Sequence, residues 1–249
     1  MSGTVSRSEA GRIGGNGTAE TAFPVGLEQG EDGSTLVHAL TLPGCVSGGA
    51  SRDEALAAFP IVLSQWLSTL GTLGEPVPPR DTELDITVDE WHESDAAVAD
   101  GESSILLDRD RLPLDESEML KLLHRLGDLR GLLLSRVRRL PDTALDVAWR
   151  GEWTARLALE ELARSHWFTL SRLGSSSMAE VPDRTLARLD TSMALVIHRF
   201  TGLAPEARST ITEIEGELWT PRKVLRRILW LEWTFGRLAL AALAAPARS

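Results

Sequence analysis

The sequence predicts an α+β chain of two domains, a small ββ(β)αβ unit followed by an up-down four-helix bundle. Three observations predict it. Apolar residues alternate with period two between Phe23 and Leu42, as half-buried strands require. From Met119 to Ala242 they recur at steps of three and four, as amphipathic helices require. Between the two patterns, residues 93–113 are acidic and rich in small side chains. The predicted division is a disordered leader over 1–20, an α/β domain over 21–92, an acidic linker over 93–113 and a helical domain over 114–245. A chain of 249 residues suits two such units, because domains usually run about 100–150 residues.

In the first domain Phe23, Val25 and Leu27 alternate, EQGEDGS turns the chain, and Leu36, His38, Leu40 and Leu42 alternate again. This predicts a β-hairpin. Pro43 and Gly44 end the second strand, since proline cannot donate to a ladder and glycine accepts turn conformations. CVSGG has the length of a brief edge strand. Ser51 and Glu54 of S-R-D-E predict a capping box. The helix they open carries the stripe Leu56, Phe59, Leu63, Trp66 and Leu70, with Pro60 expected to kink it. Leu84, Ile86 and Val88 predict a final strand. His38 reads as a core histidine, and Cys45 as a small half-buried thiol with no base beside it in sequence.

LPGCVSGG followed by SRDEAL, in the order strand, strand, short strand, helix, strand, resembles the HicB-like antitoxin module over roughly residues 21–92. The resemblance implies a protein-binding module that, in the antitoxins, sequesters a small ribonuclease toxin. It therefore implies a small protein partner for this domain. Those antitoxins also carry a separate DNA-binding segment, for which this sequence shows no counterpart.

Charge divides the chain in the same place. Up to Leu112 there are 6 basic against 19 acidic residues, and from Pro113 onward 20 against 17. The acidic first half repels phosphate backbones, so no nucleic-acid partner is expected. No run of about 18 uncharged apolar residues occurs, so no membrane span is expected. The first twenty residues lack an apolar signal core, and Cys45 is the only cysteine. Both point to a reducing cytoplasm. Between Asp81 and Asp110 there are 11 acidic residues and only Arg109 against them, which reads as a solvated linker. ILL at 105–107 offers an anchor to one domain, and docking of the segment against the basic second half is the alternative.

In the second domain Met119, Leu122, Leu123, Leu126, Leu129, Leu133, Val137 and Leu140 predict a helix ended by Pro141. Trp153-Thr154 opens the next, with Leu159, Leu162, His166, Leu170 and Leu173 on one stripe. Pro182 precedes a third, with Leu186, Leu189, Met193, Val196 and Phe200. Thr220-Pro221 caps a fourth, with Val224, Ile228, Leu231, Phe235, Leu238 and Ala242. ITEIEGEL in the connection before it predicts a short extended segment.

GEWTARLALEELARSHWFTLSRLG and GELWTPRKVLRRILWLEWTFGRLAL resemble the two characteristic segments of the DinB superfamily, over roughly residues 115–243. The resemblance implies a four-helix bundle, a homodimer and, in many members, a divalent metal held by three histidines that activates a low-molecular-weight thiol. Carried over by position, the three metal ligands fall on Glu161, Leu231 and Phe235. Leucine and phenylalanine offer no lone pair, so the site is degenerate and no metal or other cofactor is expected. His166 is five residues from Glu161, about 140° around the helix, and reads as a core histidine. A pocket at this end would draw on His166, Trp153, Trp230 and Trp233. Leu229, Trp230, Trp233 and Leu240 lie off the core stripe, which adds to the expectation of a homodimer. RVRRL and PRKVLRRIL are the basic clusters, read as solvated faces paired with glutamates.

These observations point to a non-catalytic protein- or ligand-binding fusion. The alternatives are a DinB-like metal- or thiol-dependent transferase using Glu161 and His166, and an antitoxin-like neutraliser of a small ribonuclease.

Overall fold

The structure is a computed structural model, and it describes residues 21–149, 151, 153–174 and 181–244. The leader expected over 1–20 lies outside the described residues. The fold is α+β: among the described residues there are five α-helices, a four-stranded mixed sheet and a two-stranded one.

Strands β1 (Ala22–Gly30), β2 (Thr35–Ala39) and β3 (Val46–Gly49) run antiparallel in succession, and β4 (Asp85–Ser94) adds parallel to β1, giving the order β3-β2-β1-β4. Helix α1 (Arg52–Thr72) makes the crossover to β4. Its buried stripe is Ala55, Phe59, Leu63, Trp66 and Leu70, with Leu56 only partly buried. This stripe covers the face of the sheet made by Phe23, Val25, Leu27, Val37 and Ala39. By length and composition α1 is apolar enough to cross a membrane. Here its stripe is packed on the sheet.

The turn at LPGC has a steric cause. Gly44 has φ +98, and a Cβ there would stand 2.8 Å from the ring of Trp66. A Cβ on Gly49 would stand 2.5 Å from the amide nitrogen of Ala55, so glycine is what lets β3 approach the start of α1. Ser51 caps the helix by accepting from the amide of Glu54, as expected, but the Glu54 carboxylate reaches back to the amide of Ala50, one residue earlier than a standard capping box. Pro60 is exposed and α1 continues through it, so water can meet the backbone carbonyl left without a donor.

Four helices follow: α2 (Glu116–Val137), α3 (Ala155–Ser171), α4 (Thr185–Thr201) and α5 (Pro221–Ala244). The α3 helix packs on α4 and α5, and α2 packs on α5. Thr154 and Thr220 cap α3 and α5 through their hydroxyls. The predicted stripes of α2, α3 and α4 are largely the buried ones, with Leu173 and Leu186 half-buried and Leu140 exposed beyond the end of α2. In α5 the predicted Leu231, Phe235 and Leu238 are only half-buried, and Leu225, Leu229, Trp233 and Ala239 are buried instead. The ITEIEGEL segment forms a hairpin of β5 (Thr212–Ile214) and β6 (Glu217–Trp219).

The segment between the two halves departs from expectation. The reading of residues 103–112 as chiefly a solvated linker is corrected: the anchor at Ile105, Leu106 and Leu107 is buried, and Ser103 and Asp110 are buried with it. They lie between the second face of the sheet and α5, where a Cβ on Gly26 would meet Leu107 and where Trp230 of α5 packs with Leu36, Val46 and Val98. The apolar residues that overhang the α5 stripe are used in the same way. Leu229 approaches Gly44, and Trp233 meets Trp66 edge-on at 4.9 Å. One buried apolar cluster therefore runs from Phe23 through Trp66 to Met119 and Trp233. The residues that suggested a dimer surface, Leu229, Trp230 and Trp233, are covered within the chain.

Candidate functional site

The first ten residues of α5 are buried on every side, although four of them are Arg222, Lys223, Arg226 and Arg227. The expectation of a solvated basic face is corrected here. Each cation is met by the acidic connecting segment or by backbone carbonyls. Arg226 donates to both carboxylate oxygens of Asp110, at 2.6 Å from Nη2 to Oδ2, and that pair is almost wholly buried. Lys223 Nζ donates to the carbonyls of Ser104 and Leu218 and pairs with Glu217 at 2.7 Å. Arg227 donates to the carbonyl of Ser103, and Arg222 to Pro113 and to the Glu118 carboxylate.

The network continues into the sheet. His38 Nδ1 is 3.3 Å from Arg226 Nη1, and its Nε2 is 3.0 Å from Glu28. Glu28 also accepts from Ser94 Oγ and the amide of Ser104, both at 2.8 Å. Burial pushes the Glu28 carboxyl up, but its interaction with His38 and the hydrogen bonds from Ser103 and the Ser104 amide outweigh it and hold Glu28 at about 2. Burial pushes His38 down, against the pull of Glu28, and Arg226 adds to the lowering. The ring is therefore neutral, with Nε2–H donating to Glu28 and Nδ1 accepting from Arg226. His38 joins the two halves; it is not aimed at solvent.

A second buried cluster lies among the helices. Arg130 of α2 donates through Nε and Nη2 to Glu232 of α5, both at 2.8 Å, and through Nη1 to the carbonyl of Leu189 in α4. His166 of α3 is fully buried with Nε2 3.3 Å from the same Glu232 carboxylate. Burial, and then the charge of Arg130, push His166 well below its ordinary value, so it is neutral. Cys45 is likewise inert, because burial pushes its thiol up to about 12.

The positions carried over from the DinB resemblance give no ligand set. Glu161 is part-exposed and paired with Arg164, while Leu231 and Phe235 are half-buried, Phe235 among the apolar side chains of α2, α3 and α5. Among the described residues no group of three His, Cys, Asp or Glu is placed to hold a metal. The four residues expected to share a pocket are dispersed. Trp153 is exposed at the start of α3, Trp230 and Trp233 face the α/β half, and His166 is sealed against Glu232.

Among the described residues, two of the larger clefts are open to solvent. One, of about 630 Å³, runs along the second half of α1 beside the proline-rich segment 77–84, past Gln65, Ser68, Pro78 and Arg80. The other, of about 300 Å³, lies where α3 and α4 end against the β5–β6 hairpin. None of Trp153, His166, Trp230 or Trp233 lines either of them. Compared with known families, curated proteins and solved structures, the chain matches none.

The two buried histidines give the site a pH signature. Both have folded values below 6.5, so the unfolded chain takes up protons that the folded one refuses as pH falls through that value. Stability is full above pH 6.5 and declines below it, by up to about 1.4 kcal/mol per pH unit for each histidine. Glu28 adds a further loss as pH falls from 4.5 toward 2. Urea midpoints at pH 7.5, 6.0 and 5.0 check this, and equal midpoints would contradict it.

Proposed function

We propose that the chain is a non-catalytic binding protein, in which a HicB-like protein-binding module is docked on a DinB-like four-helix bundle that has lost its metal chemistry. The observation that carries this reading is the donor set at the three family positions, one carboxylate tied to Arg164 and two apolar side chains. The bases that catalysis would need support it too. His38 and His166 are neutral but enclosed, each beside a buried carboxylate, and the Cys45 thiol stays protonated at neutral pH. What the molecule offers to solvent instead is open clefts, along α1 and at the ends of α3 and α4.

The test is thermal unfolding of chelator-treated full-length protein with added zinc or nickel. The expected shift is no more than about 1 °C, because a site without a ligand set gives little mass-action stabilisation. A saturable rise of several degrees at micromolar metal would overturn the reading in favour of a metal-dependent transferase.

A further inference from the structure

The smaller cleft carries an unmet charge. Its wall includes Arg172 at the end of α3, Arg199 near the end of α4, Thr210 before β5, Thr212 at the start of β5, and Trp219 at the end of β6. Three N–H groups in this wall, Arg172 Nε, Arg199 Nε and Trp219 Nε1, are buried and have no acceptor among the described residues. Buried donors in folded proteins are nearly always paired, so three without partners around one cleft point to an acceptor that comes from outside the chain. Trp219 is only 1% exposed, and its indole is surrounded by cations, with Lys223 4.4 Å, Arg227 5.3 Å and Arg172 5.8 Å from the ring. Lys223 and Arg227 are answered by Glu217. Arg199 has no carboxylate partner among the described residues and donates only to the carbonyl of Leu173.

Arg172 is answered in an informative way. Its Nη1 lies 2.7 Å from the carboxylate of Glu215, a side chain that is 76% exposed and sits at the tip of the β5–β6 hairpin. Glu215 is the one described non-glycine residue with positive φ, at +55, a conformation that suits asparagine or glycine. A glutamate held there against its backbone preference places a carboxylate on the arginine at the edge of the cleft.

We propose that this cleft binds a small organic anion through a carboxylate or phosphate group. Arg172 and the Trp219 indole donate to its oxygens, Arg199 supplies the balancing charge, and Glu215 occupies part of the same position when no ligand is present. The proposal rests on the reading of the chain as a binding protein and gives that reading a ligand class. A volume of about 300 Å³ is at the lower end of small-molecule sites, which favours a compact metabolite over a cofactor.

The test is calorimetric titration of the full chain at low salt with succinate and with inorganic phosphate. Saturable one-to-one binding of either probe is expected, and which probe binds distinguishes a carboxylate from a phosphate ligand. Trp219→Phe keeps the ring and removes the donor, so it should weaken binding by about five- to tenfold. Arg172→Gln should weaken it further. Glu215→Gln, at an exposed position, should tighten binding several-fold by removing the competing carboxylate. No heat of binding from either probe up to about 10 mM, where even a millimolar site would fill, overturns the proposal. So does binding that is equal in wild type, Trp219→Phe and Glu215→Gln, because the anion would then sit elsewhere. Neither failure touches the metal experiment, which tests the binding-protein reading separately.

Discussion

Replacing Arg130 by methionine is expected to destabilise the protein by about 3–5 kcal/mol, the largest effect of any single change among the helices. The pair it breaks is sealed, with Arg130 and Glu232 each less than 5% exposed in their side chains. Without the guanidinium, Glu232 is left as a buried carboxylate whose nearest polar neighbour is the neutral ring of His166. The Leu189 carbonyl is less affected, since Ser192 Oγ still donates to it at 2.9 Å. Most of the loss therefore comes from the stranded charge, and removing that charge should restore stability. The double variant Arg130→Met, Glu232→Leu is expected to recover most of the difference, because apolar replacement of a buried pair is often neutral. Urea unfolding of the wild type, both single variants and the double variant measures this. Additive losses in the double variant would show that the pair is not coupled.

The second large effect is expected at the seam between the halves. Asp110→Asn keeps the side chain's shape and removes its charge, leaving Arg226 buried beside His38 with no carboxylate on it. A loss of about 3–5 kcal/mol is expected. Arg226→Met should cost a comparable amount, because His38 Nδ1 then loses its donor as well. The two losses should not add when combined. Urea unfolding at pH 7.5, where both histidines are neutral, isolates the pair from their titration. A loss under about 1 kcal/mol for Asp110→Asn would place this pair with solvent-screened surface bridges instead.

Much of the fold was legible because its signals are local. The Gly44 turn, the Ser51, Thr154 and Thr220 caps and the stripes from Met119 to Val137 and from Leu159 to Leu170 each depend on residues within a few positions of one another. What was not legible is long-range. In β4 the alternation of Leu84, Ile86 and Val88 does not continue, because Asp89 is bulged out of the pairing with β1 and the faces exchange beyond it. Val88 and Trp91 are exposed on this edge strand, while Glu90 accepts from the amide of Asp108.

The α5 helix shows the same limit more strongly. Its overhanging Leu229, Trp230 and Trp233 read as a surface awaiting a second copy, and its arginines as a solvated face. Both sets are satisfied by segments more than a hundred residues earlier in the chain. The acidic excess of residues 81–110 against the basic start of α5 was visible as composition, but composition does not say which carboxylate meets which cation. The Asp110–Arg226 pair, the most buried of them, could not be singled out among eleven acidic residues.

The central claim is that residues 103–112 are a packed layer that locks the α/β half onto α5. Amide hydrogen exchange of the full-length protein, followed by mass spectrometry of peptides covering this segment, tests it most directly. Among its amides, those of Ser104, Leu107, Asp108, Asp110 and Leu112 have acceptors inside the fold: Glu28, Asp110, Glu90 and the carbonyls of Leu107 and Arg109 in turn. The account predicts protection of this segment comparable to that of α5, falling in Asp110→Asn together with protection in β2. Exchange of residues 103–112 at the rate of an unstructured peptide in the wild type, with α1 and α5 still protected, would contradict it.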